Sequence, residues 1–450
     1  MDVKAALQGY ERIGVIGLGM TGMSAARFLA AHDVAPVLFD TRPQGSEQYQ
    51  QATDLAQHEC YLGELKLEDL LGLDLVIVSP GLAFTAPALL MARDAGVEFI
   101  SDIELFARLV DVPVLAVTGS NGKSTVVSLT THILRQCGRH VGLGGNIGIP
   151  ALELLDQGHD CIVLELSSFQ LEQTYSLHPA AACVLNVSPD HMDRYADLES
   201  YARVKNRIYR KADMCIYNRD DALSVPLRRR QLQHFLSVGL HADEHNLTVE
   251  MVDGEEFIVF AGQPLLAVSS MPMPGDYNKL NVQAALALVA ALGTDLECAA
   301  DAVASFEPLP HRCQQVANVD GVRWVNDSKA TNAGACIAAI EGLRGDVSGK
   351  LILIAGGDGK GADLNVLKAP LQQVDVLITL GRDGSKIAAL KRGAIEVDGI
   401  EEAVREAARH TSKDSLVLLS PACASLDMFR DYQQRGDVFT AAVEALYGDA

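Results

Sequence analysis

Thr118-Gly119-Ser120-Asn121-Gly122-Lys123-Ser124-Thr125 sets two glycines, a lysine and several hydroxyls in one short run. The apolar stretch Pro113 to Val117 ahead of it reads as a buried strand, and Val126 to Cys137 behind it carries helical periodicity. Strand, Gly-rich turn and helix N-terminus together form a phosphate cradle. The glycines let backbone N–H groups approach an anion, and the helix dipole favours negative charge there. Lys123 supplies a cation for the β- and γ-phosphates of a nucleoside triphosphate, and the Ser124 hydroxyl is placed for Mg²⁺. Val117 stands where the standard G-x-x-x-x-G-K-[ST] loop has its first glycine, so this is a shorter variant. A turn that merely capped a helix would have no use for Lys-Ser-Thr.

Further clusters could act with this loop. Gly17-Leu18-Gly19-Met20-Thr21-Gly22 follows a predicted strand and opens a helix, and Asp40 ends the next strand. That is the dinucleotide fingerprint, with Asp40 facing a ribose hydroxyl; the same geometry holds any pyrophosphate, so NAD and a nucleotide-linked substrate both remain open. Glu165 ends a strand expected beside the phosphate loop, where a carboxylate gives a second Mg²⁺ contact. His191, in Asp190-His191-Met192-Asp193-Arg194-Tyr195, lies between acids after another strand end, and metal binding competes with a structural role. Lys205 follows Tyr201 by one helical turn and by itself reads as a surface lysine. Asn326-Asp327-Ser328-Lys329-Ala330-Thr331-Asn332 combines a ribose acceptor with a cation for phosphoryl oxygens.

Positioning such groups takes several layers of strand and helix. The 450 residues suggest about three domains, and 48% hydrophobic with 21% charged residues describes a soluble globular chain. A net charge of −21 argues against non-specific nucleic-acid binding. Arg228-Arg229-Arg230, the dense basic run, reads as a solvated loop. Nine cysteines with no CxxC pair suit reduced, buried thiols rather than a disulfide framework or zinc site. No apolar run is long enough to span a bilayer. Strands are predicted at Arg12–Ile16, Pro36–Phe39, Leu75–Val78, Cys161–Glu165, Ala182–Val187, Val322–Asn326, Leu351–Ala355, Val376–Leu380 and Leu416–Leu419. Helices fall between them, the last from about Leu426 to Leu446. Leu247–Ser270 alternates as antiparallel hairpins with Asp253-Gly254 as a turn, and Glu307-Pro308-Leu309-Pro310 reads as a linker. Alternation of this kind implies parallel sheets covered by helices.

Taken together, the strings TGSNGKST, LELSSFQLE (164–172), DHMDRY, Tyr201 to Lys205, Asp276 to Asn281, Pro310-His311-Arg312, NDSKATN, GGDGKGADL (356–364) and LSPACASLD (419–427) resemble the Mur ligases, ATP-dependent amide ligases of peptidoglycan precursor synthesis. The resemblance covers essentially the whole chain. It implies an α/β fold of three domains: Rossmann-like at 1–102, a phosphate-loop ATPase-like parallel sheet at 103–308, and Rossmann-like again at 309–450. NDSKATN and SPACASLD point, within the family, to addition of D-glutamate to UDP-N-acetylmuramoyl-L-alanine through an acyl phosphate. A sister Mur ligase or a folylpolyglutamate synthase-like ligase is the alternative, and an NAD-dependent oxidoreductase a more distant one. A monomeric cytoplasmic enzyme, without nucleic acid or membrane insertion, is expected.

The resemblance also implies roles. Gly19, Met20, Thr21, Asp40, Thr41, Arg42, Ser79, Gly81 and Asn146 match contacts to the UDP substrate, so the glycine fingerprint would hold a substrate diphosphate. Gly119, Ser120, Asn121, Gly122, Lys123, Ser124, Thr125, Asn278, Asn281, His311, Arg312 and Asp327 match ATP contacts. Ser124 and Glu165 match one Mg²⁺ site, and His191 and Lys205 a second. Lys205 matches a lysine carried as a carbamate, which would turn a repelling ammonium into an oxygen ligand; forming it needs the neutral amine, which burial favours. Lys123, His191, Lys205 and Lys329 are the expected catalytic set. Thr331, Lys360, Ser425, the Leu426 backbone and Tyr432 match contacts to D-glutamate, Tyr432 standing where such ligases commonly carry Phe.

Overall fold

In the computed structural model, which describes residues 3–52, 54–82, 84, 86–228, 232–273, 275–345 and 347–447, the apolar runs become strands of four sheets. The first is wholly parallel, in the order Cys60–Leu62, Val37–Asp40, Ile13–Ile16, Leu75–Val78, Glu98–Ile100. Ile13–Ile16, Val37–Asp40 and Leu75–Val78 are buried at every position, as strands covered on both faces must be. The order reverses between Ile13–Ile16 and Leu75–Val78, which opens a crevice at their carboxyl ends.

The second sheet is also parallel, in the order His234–Val238, Met214–Asn218, Ala181–Val184, Val114–Thr118, Cys161–Glu165, Val141–Gly145. Its register pairs Val117 with Glu165 and Thr118 with Val184, so three strand ends finish level. The hairpins follow at Leu247–Val252, Glu255–Phe260 and Gln263–Ala267. Asp253 (φ 51°) and Gly254 (φ 90°) make the first turn, both left-handed as a tight two-residue connection requires. The fourth sheet runs Gln314–Val319, Val322–Asn326, Leu416–Leu419, Leu351–Gly356, Val376–Leu380, Ile395–Glu396, with its first strand antiparallel. Trp324 is buried on one of its faces beside Phe439.

The described chain packs as two compact units, Met1–Asn186 with Tyr201–Val268 and Asn281–Ala304, and Val187–Ser200 with Ser269–Leu280 and Ser305–Ala450. The first holds the two parallel sheets and the hairpins; the second holds the mixed sheet.

Three expectations are corrected. The strand expected to reach Val187 stops at Val184, because the chain beyond it turns to bond the phosphate loop, as described below. The final helix spans Tyr432–Tyr447 rather than starting near Leu426. Residues before it serve as loop anchors: Asp427 accepts the Arg382 N–H at 2.8 Å, and Asp431 accepts the Gln434 N–H at 2.7 Å, a bond typical of a helix start. Cys137 and Cys298 form a disulfide, where only reduced thiols were expected. They stand 161 residues apart, and the fold brings the end of helix Lys123–Gln136 beside helix Leu296–Ala304, with Cα atoms at 6.1 Å. The other seven cysteines are free thiols, five of them buried. Among the described residues, no helix is long and apolar enough to cross a membrane.

Candidate functional site

The phosphate loop leaves the strand Val114–Thr118 and enters the helix Lys123–Gln136. Gly119 (φ 154°) and Gly122 (φ 84°) adopt backbone that other residues resist, and a Cβ on Gly122 would lie 2.5 Å from the Asn281 side-chain oxygen. Lys123 Nζ donates to the carbonyls of Gly119 (2.8 Å) and Ser120 (3.0 Å), which folds it over the loop. Ser120, Ser124 and Thr125 are buried. Thr118 Oγ1 is buried without a hydrogen-bond partner among the described residues, at the point where the strand gives way to the loop.

Asn186, which sequence reasoning gave no role, holds this loop. Its side-chain oxygen accepts the Asn121 N–H (2.9 Å), its amide donates to the Asn121 carbonyl (3.1 Å), and its own carbonyl accepts the Ser120 N–H (2.9 Å). The sequence set Asn186 inside an expected strand; the strand ends at Val184 instead, and the fold turns Asn186 into a loop contact.

Lys205 reaches the same loop, and Glu165 ends the strand beside the one that feeds it. Glu165 is buried at the end of its strand, next to the strand that feeds the loop. Its carboxylate accepts the Asn146 amide at 2.7 Å, and its carbonyl accepts the Asn146 N–H at 2.8 Å. Asn146 therefore touches the expected metal carboxylate directly. Lys205 is not the surface lysine its sequence context suggested: it is 1% exposed. Its Nζ donates to the Gly119 carbonyl at 2.8 Å and lies 4.4 Å from the Tyr201 ring centroid. Holding an ammonium at such depth is costly unless several groups compensate it.

The donors fit a hard divalent cation. Ser124 offers a hydroxyl in the first turn of the helix after the loop, and Glu165 a carboxylate at the end of the strand beside the one that feeds the loop. Among the described residues, no three or more His, Cys, Asp or Glu side chains gather as a metal cage. Magnesium commonly takes one or two protein oxygens and completes its shell with phosphates and water.

At the first sheet's crevice, Gly17 (φ 87°) packs so close to Ser79 that a Cβ would come within 2.8 Å of it. A Cβ on Gly22 would meet the Gly17 carbonyl at 1.9 Å, so both glycines are needed for helix to approach strand. Asp40, 1% exposed, has its carboxylate engaged within the chain. It accepts the Leu18 N–H (2.8 Å), the Arg42 N–H (2.9 Å), and the Arg42 guanidinium at 2.7 and 2.6 Å. Four donors fill a carboxylate's capacity. Burial alone would raise its pKa, but Arg42 and the two backbone N–H groups outweigh it and hold the pKa below the ordinary value. Met20, by contrast, is 63% exposed, and Gly81 is exposed beyond the same crevice.

The second unit gathers the remaining candidates. Asp327 is buried, with its carboxylate accepting the Ser420 hydroxyl (2.8 Å) and the Cys313 N–H (3.2 Å). Burial lifts its pKa to about 7, against those bonds and the Arg312 charge. His311 (φ 61°) accepts the Asn326 amide at 3.1 Å, and its carbonyl accepts the Lys329 N–H at 3.1 Å. Lys329 Nζ lies 3.9 Å from the Tyr432 ring centroid, so the aromatic expected at D-glutamate carries a cation here. His191 (φ 57°) is strained backbone, its N–H on the Asp190 carboxylate. Asp190 also binds Lys360 Nζ and the Asn332 amide (3.2 Å), contacts the sequence did not foretell. Ser425 is buried and Leu426 exposed. Arg435, also missed, is buried and ties two loops together. Its guanidinium donates to the Ser328 hydroxyl (3.0 Å), the Ser328 carbonyl (2.8 Å) and the Cys423 carbonyl (3.1 Å). Burial pulls its pKa down to about 10.

Three family models match this chain: "Mur ligase MurD-like, N-terminal domain" over 11–101, "Mur ligase middle domain" over 117–289, and "Mur ligase, glutamate ligase domain" over 311–423. Among curated proteins, the UDP-N-acetylmuramoylalanine--D-glutamate ligase of Shewanella oneidensis is 44% identical over 97% of this chain and 98% of its own. That of Pseudomonas savastanoi pv. phaseolicola is 46% identical over 96% and 97%. Among solved structures, the UDP-N-acetylmuramate-alanine ligase MurC of Thermotoga maritima aligns with a TM-score of 0.61 at 19% identity, covering 98% of this chain and 100% of its own. The MurF ligase of Thermotoga maritima in complex with ADP aligns with a TM-score of 0.62 at 18% identity, covering 98% and 97%. Those two likenesses are of fold.

Proposed function

The chain belongs to the Mur ligase family, and from that premise we propose that it joins the L-alanyl carboxylate of UDP-N-acetylmuramoyl-L-alanine to the amine of D-glutamate, at the expense of ATP. The reading places it in the cytoplasm as a monomer, in peptidoglycan precursor synthesis, with domains at 1–102, 103–308 and 309–450. The observation that carries it is that Lys123 and buried Lys205 both bond the phosphate loop, with Glu165 buried at the end of the strand beside the one that feeds it. A plain nucleotide switch has no use for a buried lysine there.

A carboxylate is a poor electrophile, so the substrate carboxylate must first be phosphorylated to an acyl phosphate. Lys123 and the loop N–H groups would hold the ATP phosphates, and Lys329, oriented by Tyr432, would offset charge on the transferred phosphoryl group. Two magnesium ions, when bound, would neutralise phosphate charge. Ser124 and Glu165 would hold one, while His191 and Lys205 as a carbamate are assigned to the other. Asp327 would take the ATP ribose. Arg42, braced by Asp40, would face the UDP phosphates with Met20 and Thr21. Thr331, Lys360 and Ser425 would receive the carboxylates of D-glutamate, whose amine then attacks the acyl carbon and expels phosphate.

The test is phosphate release from ATP in the presence of the UDP-muramoyl-L-alanine substrate. D-Glutamate should support turnover, while L-glutamate, L-lysine and diaminopimelate should not. Turnover with diaminopimelate instead would make the chain a sister ligase.

A further inference from the structure

The helix Leu198–Lys205 passes directly into a tight 3-10 turn, Asn206–Tyr209, and the outer side of this run walls a cavity of about 330 Å³. Four arginines line it, Arg203, Arg207, Arg210 and Arg228, with Tyr209 and Gln233 beside them. Among the described residues, no acidic side chain belongs to that lining. The sequence placed Arg228 in a solvated basic loop, whose Arg229 and Arg230 lie outside the described residues.

Arg207 is built in. Its Nε donates to the Leu171 carbonyl at 2.6 Å, its terminal nitrogen to the Thr174 carbonyl at 3.1 Å, and it lies 5.1 Å from the Tyr175 ring centroid. Burial lowers its pKa and the neighbouring Arg210 charge lowers it further, with Tyr175 and Glu172 opposing. Gln233 is fixed as well, donating to the carbonyls of Tyr209 (2.6 Å) and Ala212 (2.9 Å). Arg203 and Arg210 are exposed and flank this rigid wall. Like charges repel, so a chain with net charge −21 that converges four cations on one cavity favours an anion there.

We propose that this cavity binds a small molecule carrying a diphosphate or a longer phosphate chain, at a site separate from the phosphate loop. Planar guanidinium forks match phosphate oxygens two at a time, and several forks suit more than one phosphate. The volume lies at the small end of ligand pockets, which fits a compact polyanion better than a whole nucleotide. Lys205 sits on the same helical run, two residues after Arg203, and reaches the Gly119 carbonyl. An anion that immobilises the arginines therefore stiffens the segment that presents Lys205. The inference does not depend on the reaction proposed above.

The test is calorimetric titration of inorganic pyrophosphate, without magnesium, into the full-length Lys123→Ala chain, whose phosphate loop is disabled. Pyrophosphate should bind, and Arg203→Ser/Arg210→Ser in the same background should weaken it about tenfold or more. Arg382→Ser, which removes an exposed arginine from the second unit, should leave binding unchanged. Citrate should bind more weakly than pyrophosphate. No binding, equal binding in the double variant, equal loss in Arg382→Ser, or preference for citrate would each overturn the proposal.

Discussion

At Lys205 an ammonium and a carbamate lead to different experiments. If the buried amine only donates to Gly119, removing it should cost stability while a short acid changes nothing. If it carries a carbamate, Lys205→Ala loses an oxygen ligand, ligation falls by at least about a hundredfold, and acetate or propionate restores part of it in a concentration-dependent way. Lys123→Ala should lose ligation to a similar extent without rescue, because its defect is a missing cation, while equilibrium binding of the UDP substrate persists. Activity of Lys205→Ala without added acid would end the carbamate reading. Much at this scale was legible: residue type and spacing identified Lys123, Ser124 and Glu165 as neighbours of one loop. Lys205 was singled out by resemblance alone, since a helical lysine after an aromatic looks solvated until the sheet beneath it is known. Asp40 shows the opposite limit: its place at a strand end was legible, while the Leu18 and Arg42 bonds that occupy its carboxylate were not.

Among elements, strands buried on both faces were the clearest in the sequence, since continuous apolar runs such as Cys161–Glu165 have no other use. Short or glycine-bearing strands escaped notice. Val141–Gly145 includes three glycines, and Cys60–Leu62 is too brief to show a pattern. Loops that act as braces were also hidden, because their partners lie far away in sequence. Asn186 is the instructive case. Asn186→Ala removes both side-chain bonds to Asn121, which should cost about 1–3 kcal/mol of stability. It should also raise the KM for ATP more than it lowers kcat, as expected when a loop loses its brace rather than its chemistry. Steady-state kinetics and denaturant unfolding would check both, and an unchanged KM would show that the loop holds its shape unaided.

Across the molecule, pH dependence should carry the mark of buried Asp102, which opens the helix Asp102–Ala107. Burial raises its pKa from 3.8 to about 6, against its own and the Ile103 backbone N–H and the Gln170 side chain. The folded chain thus keeps a proton that the unfolded chain releases. Its contribution is complete below the unfolded pKa and is lost as pH rises through about 6, on the order of 3 kcal/mol. Asp102→Asn should flatten the fall in unfolding free energy between roughly pH 4 and pH 7. Parallel curves for parent and variant would remove Asp102 from the account.

The bond from Lys205 to Gly119 joins groups 86 residues apart, and the Asn186 brace spans 65. On the ribosome, then, the string TGSNGKST emerges well before anything that shapes it. A nascent chain ending near residue 150 would display the motif and yet lack Glu165, Asn186 and Lys205. Nucleotide cannot serve as an early template for this fold, because its binding energy becomes available only after long-range parallel pairing, the slow part of assembly, is finished. Translation arrested well beyond Val238, where the last strand of the second sheet ends, should yield the first ribosome-bound chains that retain ATP.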